Sequence, residues 1–305
     1  MRSRNVEVVA IVRRLRYHRP PGGLRTFAEA TRFTRSGATR KRHRRFGGRL
    51  WHLQYSFRWL KNPAVNLTRQ ELAERAASLA VQGVYIGTSS WKYPGWCGML
   101  YDRSRYEYHG KFAETRFKRD CLREYAEVFK TVCVDAAYYT FPSQQYLEGM
   151  VTQAPDDFLF GLKVTDAITI KRYPKLDRLG EQAGKPNDNF LNADLFVKAF
   201  LKPCEAVRPK IGLLIFEFSR FWPTDYEHGR DFIADLDRFL GQLPTGWPYG
   251  VEMRNKGWLR PEYFECLARH HANAIVTCVL EYSFYSVTSI MTISRLLYTT
   301  PQDRL

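Results

Sequence analysis

Six short β-branched or aromatic segments between residues 84 and 279 alternate with helical periodicities, and most of them end on a charged residue. The first begins Val84-Tyr85-Ile86-Gly87-Thr88-Ser89-Ser90-Trp91, where an apolar run breaks into small, hydroxyl and aromatic residues. Together these observations predict an α/β fold: a parallel (β/α)8 TIM-type barrel with its working face at the C-terminal strand ends. Six βα units are recognisable, so the barrel is predicted to be incomplete toward the C-terminus.

Each element has a local reason. Asn66 or Thr68 caps a helix with Leu72, Ala76 and Leu79 on one face, leading into strand one, Val84–Thr88. A helix follows with Leu122, Tyr125, Ala126 and Phe129 at i, i+3, i+4 and i+7. Strand two is read over Thr131–Tyr139, and Pro142-Ser143 opens a helix that ends before Pro155. Strand three is Phe158–Thr165. The stretch Asp166–Asn189, rich in Lys, Pro, Gly and Asp, reads as an excursion over one end of the fold. A helix from Ala193, broken at Pro203, leads to strand four, Ile211–Phe218. Phe232, Leu236, Phe239, Leu240 and Leu243 mark an amphipathic helix before strand five, Tyr249–Asn255. Pro261 suits the first turn of the helix carrying Phe264 and Leu267, and strand six is Ala274–Val279.

Charge divides the chain in two. The whole carries +16, but residues 1–80 hold 19 Lys+Arg against 4 Asp+Glu, leaving the remaining 225 residues almost neutral. Residues 1–80 are therefore predicted to be a basic, disordered leader, and 81–305 the barrel domain. Arg40-Lys41-Arg42-His43-Arg44-Arg45 is its densest run. It reads either as an arm that contacts nucleic-acid phosphates or as an unstructured extension, since Arg-rich, Lys-poor composition is what stray translation of GC-rich DNA gives. Six cysteines without C-x-x-C spacing read as reduced thiols of a cytoplasmic protein. No apolar secretion segment is evident. The apolar stretch 274–297 contains Glu281 and Arg295, which argues against a membrane span.

Period-two alternation sorts the strand ends. Cys133, Asp135 and Ala137 share a face, as do Gly161, Lys163 and Thr165; Leu213, Ile215, Glu217 and Ser219; and Glu252 with Arg254. Asp135, Lys163, Glu217, Glu252 and Arg254 are thus predicted to converge on one mouth from four strands. A charge inside a parallel strand is costly unless paired or used, so the set reads as a functional pocket or a salt-bridge layer. Two glutamates beside a lysine and an arginine suit acid–base work on a small polar or anionic substrate. Glu217, Glu252, Lys163 and Asp135 are the candidate catalytic residues. Arg254, Asn255, Trp91, Tyr93, Trp96 and Tyr139 are candidate binding residues, the aromatics as a stacking wall or as core. Three carboxylates suit Mg²⁺ or Mn²⁺ in principle, but no metal site is assigned, and no histidine falls at a strand end to suggest zinc. No dinucleotide fingerprint, P-loop or nucleophile elbow occurs, and the cofactor stays unknown.

These residues also carry a family likeness. Gly87-Thr88-Ser89-Ser90-Trp91-Lys92-Tyr93-Pro94-Gly95-Trp96, with Gly98 and Tyr101, resembles the opening G-T-S-G-W-x-Y-x-x-W-x-G-x-F-Y of the YecE-like family, domain of unknown function 72. Phe129–Tyr139 is similar to F-x-x-V-E-I-N-x-T-F-Y, Phe158–Val164 to F-x-F-x-x-K-V, Gly212–Phe218 to G-x-L-L-F-Q and Val251–Asn255 to V-E-x-R. The resemblance spans about residues 84–278 and implies a TIM barrel without a settled activity. Cys133 and Asp135 stand where the pattern has Glu and Asn, and Glu217 where it has Gln, which implies a differently tuned mouth. Residues 280–305 resemble nothing the family supplies for strands seven and eight, so a truncated or frame-shifted C-terminus is expected. The functional expectation is an acid–base isomerase or hydrolase. The alternatives are a nucleic-acid binder using residues 1–80 and a non-catalytic remnant.

Overall fold

The computed structural model describes residues 6–12, 67–278 and 288–293. In chain order the framework begins with β1 (Val6–Val12), α1 (Arg69–Val81) and β2 (Val84–Thr88), then a hairpin of β3 (Glu107–Tyr108) and β4 (Lys111–Phe112). It continues through α2 (Glu114–Ala126), β5 (Thr131–Val134), α3 (Ala136–Tyr139), α4 (Gln144–Val151), β6 (Leu159–Lys163) and α5 (Asp166–Thr169). A wound segment follows: α6 (Ala193–Leu195), a π turn over Phe196–Leu201, and α7 (Lys202–Cys204). The last elements are β7 (Ile211–Phe218), α8 (Gly229–Gly241), β8 (Tyr249–Met253), α9 (Pro261–Arg269), β9 (Asn273–Cys278) and β10 (Thr288–Ile293).

Six strands, in the order β2-β5-β6-β7-β8-β9, pair in parallel and curl into a TIM-like α/β sheet. β1 and β10 close the ring but run antiparallel to β2 and β9, so they are not further βα units. Both lie in stretches where the sequence predicts no barrel strand: β1 within residues 1–80, β10 beyond residue 279. The basic run at 40–45 and the rest of residues 13–66 and 294–305 lie outside the described residues, as do residues 1–5 and 279–287.

Local chemistry explains the elements. Thr68 caps α1 reciprocally: its hydroxyl accepts from the Glu71 N–H at 3.2 Å while the Glu71 carboxylate accepts from the Thr68 N–H at 2.8 Å. Pro261 sits in the first turn of α9, where its missing N–H costs nothing. At the expected break near Pro203 the chain keeps winding. A π turn over Phe196–Leu201 leads directly into α7, and Pro203 sits at the start of that helix.

Alternation along the strands separates two apolar layers. Val132, Val134, Leu214, Phe216 and Phe218 join the large cluster that packs under the helices, with Phe196, Phe232 and Phe239 at its centre. Cys133, Leu213, Ile215 and Ile275 form a smaller cluster on the other face, inside the curl. Gly87 permits a close approach of β2 to β5, because a Cβ there would lie 1.9 Å from the Thr131 carbonyl oxygen. The buried Tyr125 hydroxyl ties the same two strands, accepting from the Thr88 N–H at 2.9 Å and donating to the Thr131 carbonyl at 3.0 Å.

Candidate functional site at the strand ends

The strand ends differ from the period-two expectation in one respect. β5 stops at Val134, and Asp135 is the N-cap of α3 rather than a strand residue. The strand read over Thr131–Tyr139 is therefore two elements, because backbone from Asp135 onward turns helical. β8 likewise ends at Met253, which leaves Arg254 and Asn255 in the connection to α9.

The charged side chains nevertheless meet. The Lys163 ammonium lies 3.1 Å from Asp135 and 3.0 Å from Glu217. The Arg254 guanidinium reaches Glu217 at 2.5 Å and Glu252 at 3.4 Å. A continuous chain, Asp135–Lys163–Glu217–Arg254–Glu252, thus runs across the ends of β5, β6, β7 and β8. Glu217 and Glu252 are register partners on neighbouring strands, set side by side at one level of the sheet. Burial is graded along it: the Glu252 side chain is 1% exposed and Glu217 8%, whereas Asp135 is 38% and Arg254 44% exposed. Three carboxylates face two cations, a formal balance of −1 when all are ionised. The buried glutamates form the floor and Asp135 and Arg254 the water-facing rim.

Of the two neighbouring tyrosines just past the end of β5, both expected from the sequence as stacking aromatics, Tyr138 interacts with this cluster. Its phenol is pushed up to about 12, first by burial and then by the charges of Glu217 and Asp166, with Arg254 and a hydrogen bond to Ser219 opposing. Tyr139, the candidate at the same helix, is 63% exposed. The one-residue difference follows from the strand ending early: strand alternation no longer predicts direction once α3 begins.

The other aromatic candidates divide. Trp91 is 6% exposed and packs in the core beside Tyr101, whose hydroxyl donates to the Trp91 carbonyl. It is a packing residue and not a stacking wall, because a ring this enclosed offers no face to a ligand. Tyr93 and Trp96 are half-buried and lean on each other, with ring centres 4.7 Å apart. Asn255 is a staple: its carbonyl accepts from the Phe221 N–H at 2.8 Å and its amide donates to the Phe221 carbonyl at 3.0 Å. That pairing pins the loop after β7 to the loop after β8, so Asn255 supports the mouth through backbone rather than facing a substrate.

Among the described residues, Asp237, Cys266 and His270 bring metal-ligand atoms within 4.8 Å of one another, on α8 and the end of α9. Asp237 is already engaged there, by His270 at 2.7 Å and Arg269 at 2.9 Å. Burial pushes the Cys266 thiol up to about 12, which disfavours the thiolate a metal needs. The trio reads as an ion-pair joint between helices. No helix among the described residues is long and apolar enough to cross a membrane.

Solved structures of two related proteins align with part of the chain. A DUF72 family protein from Thermotoga maritima MSB8 (TM1631) is 23% identical over 62% of this chain and 63% of its own, with a TM-score of 0.40. One from Enterococcus faecalis V583 (EF0366) is 21% identical over 50% of this chain and 52% of its own, with a TM-score of 0.38. The chain therefore spans between half and two thirds of the length of these relatives. No curated protein matches it significantly. The family described as "Protein of unknown function DUF72" matches residues 85–303, in keeping with the YecE-like resemblance of the strand motifs, and the chain belongs to that family.

Proposed function

We propose that this protein is an acid–base enzyme, an isomerase or hydrolase, that works on a small polar or anionic substrate at the C-terminal mouth of a TIM-type barrel. The observation that carries the reading is the side-by-side placement of two buried glutamates, Glu217 and Glu252, bridged by one guanidinium from Arg254. Paired carboxylates of this kind suit proton removal at one atom of a substrate and proton delivery at another. Glu217 and Glu252 take the proton-transfer roles. Lys163 and Arg254 neutralise negative charge that develops on substrate oxygen, in a floor where little water competes. Asp135 orients Lys163 from the rim. Tyr93, Trp96 and Tyr139 are assigned to substrate contact in this reading, while Trp91 packs in the core and Asn255 pins the loops after β7 and β8.

The test is a panel of aldoses, ketoses, hydroxy acids and their phosphate esters, screened by thermal shift and then incubated in D₂O. A ligand of the mouth raises the melting temperature of the wild type and gains deuterium at carbon or turns over. Exchange and turnover are expected to vanish in Glu252→Gln, and the thermal shift to fall in both Glu252→Gln and Lys163→Met. Equal shifts in wild type and both variants would overturn the assignment, as would a bound ligand that shows neither exchange nor turnover.

A further inference from the structure

Beside the mouth lies a groove of about 470 Å³, walled by the excursion after β6 and by the loop after β7. Its volume falls within the range of small-molecule sites, about 300–1,000 Å³. Tyr138, in the helix that Asp135 caps, and Ser219, two residues past Glu217, line it, so groove and charged cluster share a wall. Four cations line it, Lys171, Arg172, Lys175 and Arg220, against two carboxylates, Asp166 and Asp225. That excess stands out because the chain from residue 81 onward is almost neutral.

The four cations are not equivalent. Arg172 is partly committed, lying 3.5 Å from Asp225 and donating to the Gly184 carbonyl at 3.1 Å. Lys171 sits over the Tyr226 ring, 3.2 Å from its centre, and burial lowers its proton affinity. Lys175 and Arg220 are exposed. The Arg220 guanidinium lies 4.8 Å from the centre of the Trp222 ring, itself 57% exposed at the groove wall. A guanidinium held on an indole is oriented without being neutralised, which leaves its donors for an oxyanion.

We infer that this groove is the anion subsite of the same active centre, and that it anchors the phosphate of a phosphate-bearing substrate whose reacting end lies at Glu217 and Glu252. The inference rests on the acid–base reading of the mouth for the reacting end only. A phosphate suits the groove because four cations, two of them partly committed, line it against only two carboxylates. The excursion at 166–189 then has a purpose: it carries three of the four cations across from β6 to the loop after β7.

The experiment titrates the full-length protein with inorganic phosphate, followed by ³¹P line broadening and thermal shift, with glucose as the neutral control. Wild type is expected to bind phosphate and not glucose. Lys175→Gln/Arg220→Gln is expected to weaken phosphate at least tenfold, and Lys175→Glu more than Lys175→Gln. Glu252→Gln is expected to leave phosphate binding within twofold. Both substituted cations are exposed, and unchanged melting temperatures without phosphate confirm that the variants fold. Phosphate binding that is absent in wild type, or unchanged in the double variant, overturns the subsite and leaves the mouth reading standing. Binding that is lost in the double variant, with no proton exchange on any phosphate ester, upholds the subsite and overturns the acid–base reading instead.

Discussion

Replacing Lys163 with methionine tests whether the charged chain at the strand ends is one coupled unit. Methionine keeps the length and volume of the side chain, so the change removes charge rather than packing. Lys163 is 10% exposed and lies 3.0 Å from Glu217, itself 8% exposed. Without the ammonium, three carboxylates face Arg254 alone. Breaking a buried pair by deleting one partner costs about 3–5 kcal/mol, because the stranded charge keeps its desolvation penalty. Asp135, at 38% exposure, adds little to that sum, since water screens it. With a urea m-value of about 3 kcal/mol/M, the unfolding midpoint is expected to fall by about 1 M or more. Tryptophan fluorescence follows the transition. Lys163→Met/Glu217→Gln is expected to recover part of the loss, a coupling of about 0.5–3 kcal/mol, because each partner is costly chiefly in the absence of the other. A loss below about 1 kcal/mol, with additive single variants, is the behaviour of a solvated surface pair and would refute the picture of a desolvated floor.

Three further outcomes follow from the packing and charge. Gly87→Ala drives a methyl into the Thr131 carbonyl, 1.9 Å from the ideal Cβ, and is expected to cost about 3 kcal/mol in denaturation experiments; a neutral result would mean that β2 and β5 do not approach this closely. Stability is expected to hold up to about pH 10 and then fall as pH rises, because burial raises the phenols of Tyr101, Tyr125, Tyr138 and Tyr263 above their unfolded value and the unfolded chain loses its protons first. A melting temperature unchanged between pH 9.5 and 11.5 would contradict that. Neutralising the five cations of the 40–45 run is expected to flatten the salt dependence of DNA or RNA binding by up to about 4–5 units of log–log slope if the run contacts phosphates; an unchanged slope would assign any binding to the folded part.

Sequence alone determined the alternation of strands and helices across residues 84–278, because burial on both faces of a parallel strand demands continuous apolar runs that composition displays directly. It also determined that Lys163, Glu217 and Glu252 share one face, since side-chain direction follows from counting residues along an uninterrupted strand. Tertiary structure decided everything beyond the last paired residue. β5 ends at Val134, so Asp135 reaches Lys163 from a helix cap and Tyr138, not Tyr139, reaches the charged cluster. The enclosure of Trp91, the use of Asn255 as a backbone staple and the basic groove beside the mouth arise between segments far apart in the chain. The strands β1 and β10 are locally rich in β-branched residues, but their place in the ring depends on backbone pairing with segments far along the chain. Periodicity reports what a residue's immediate neighbours impose, whereas contacts across tens of residues depend on where each element stops.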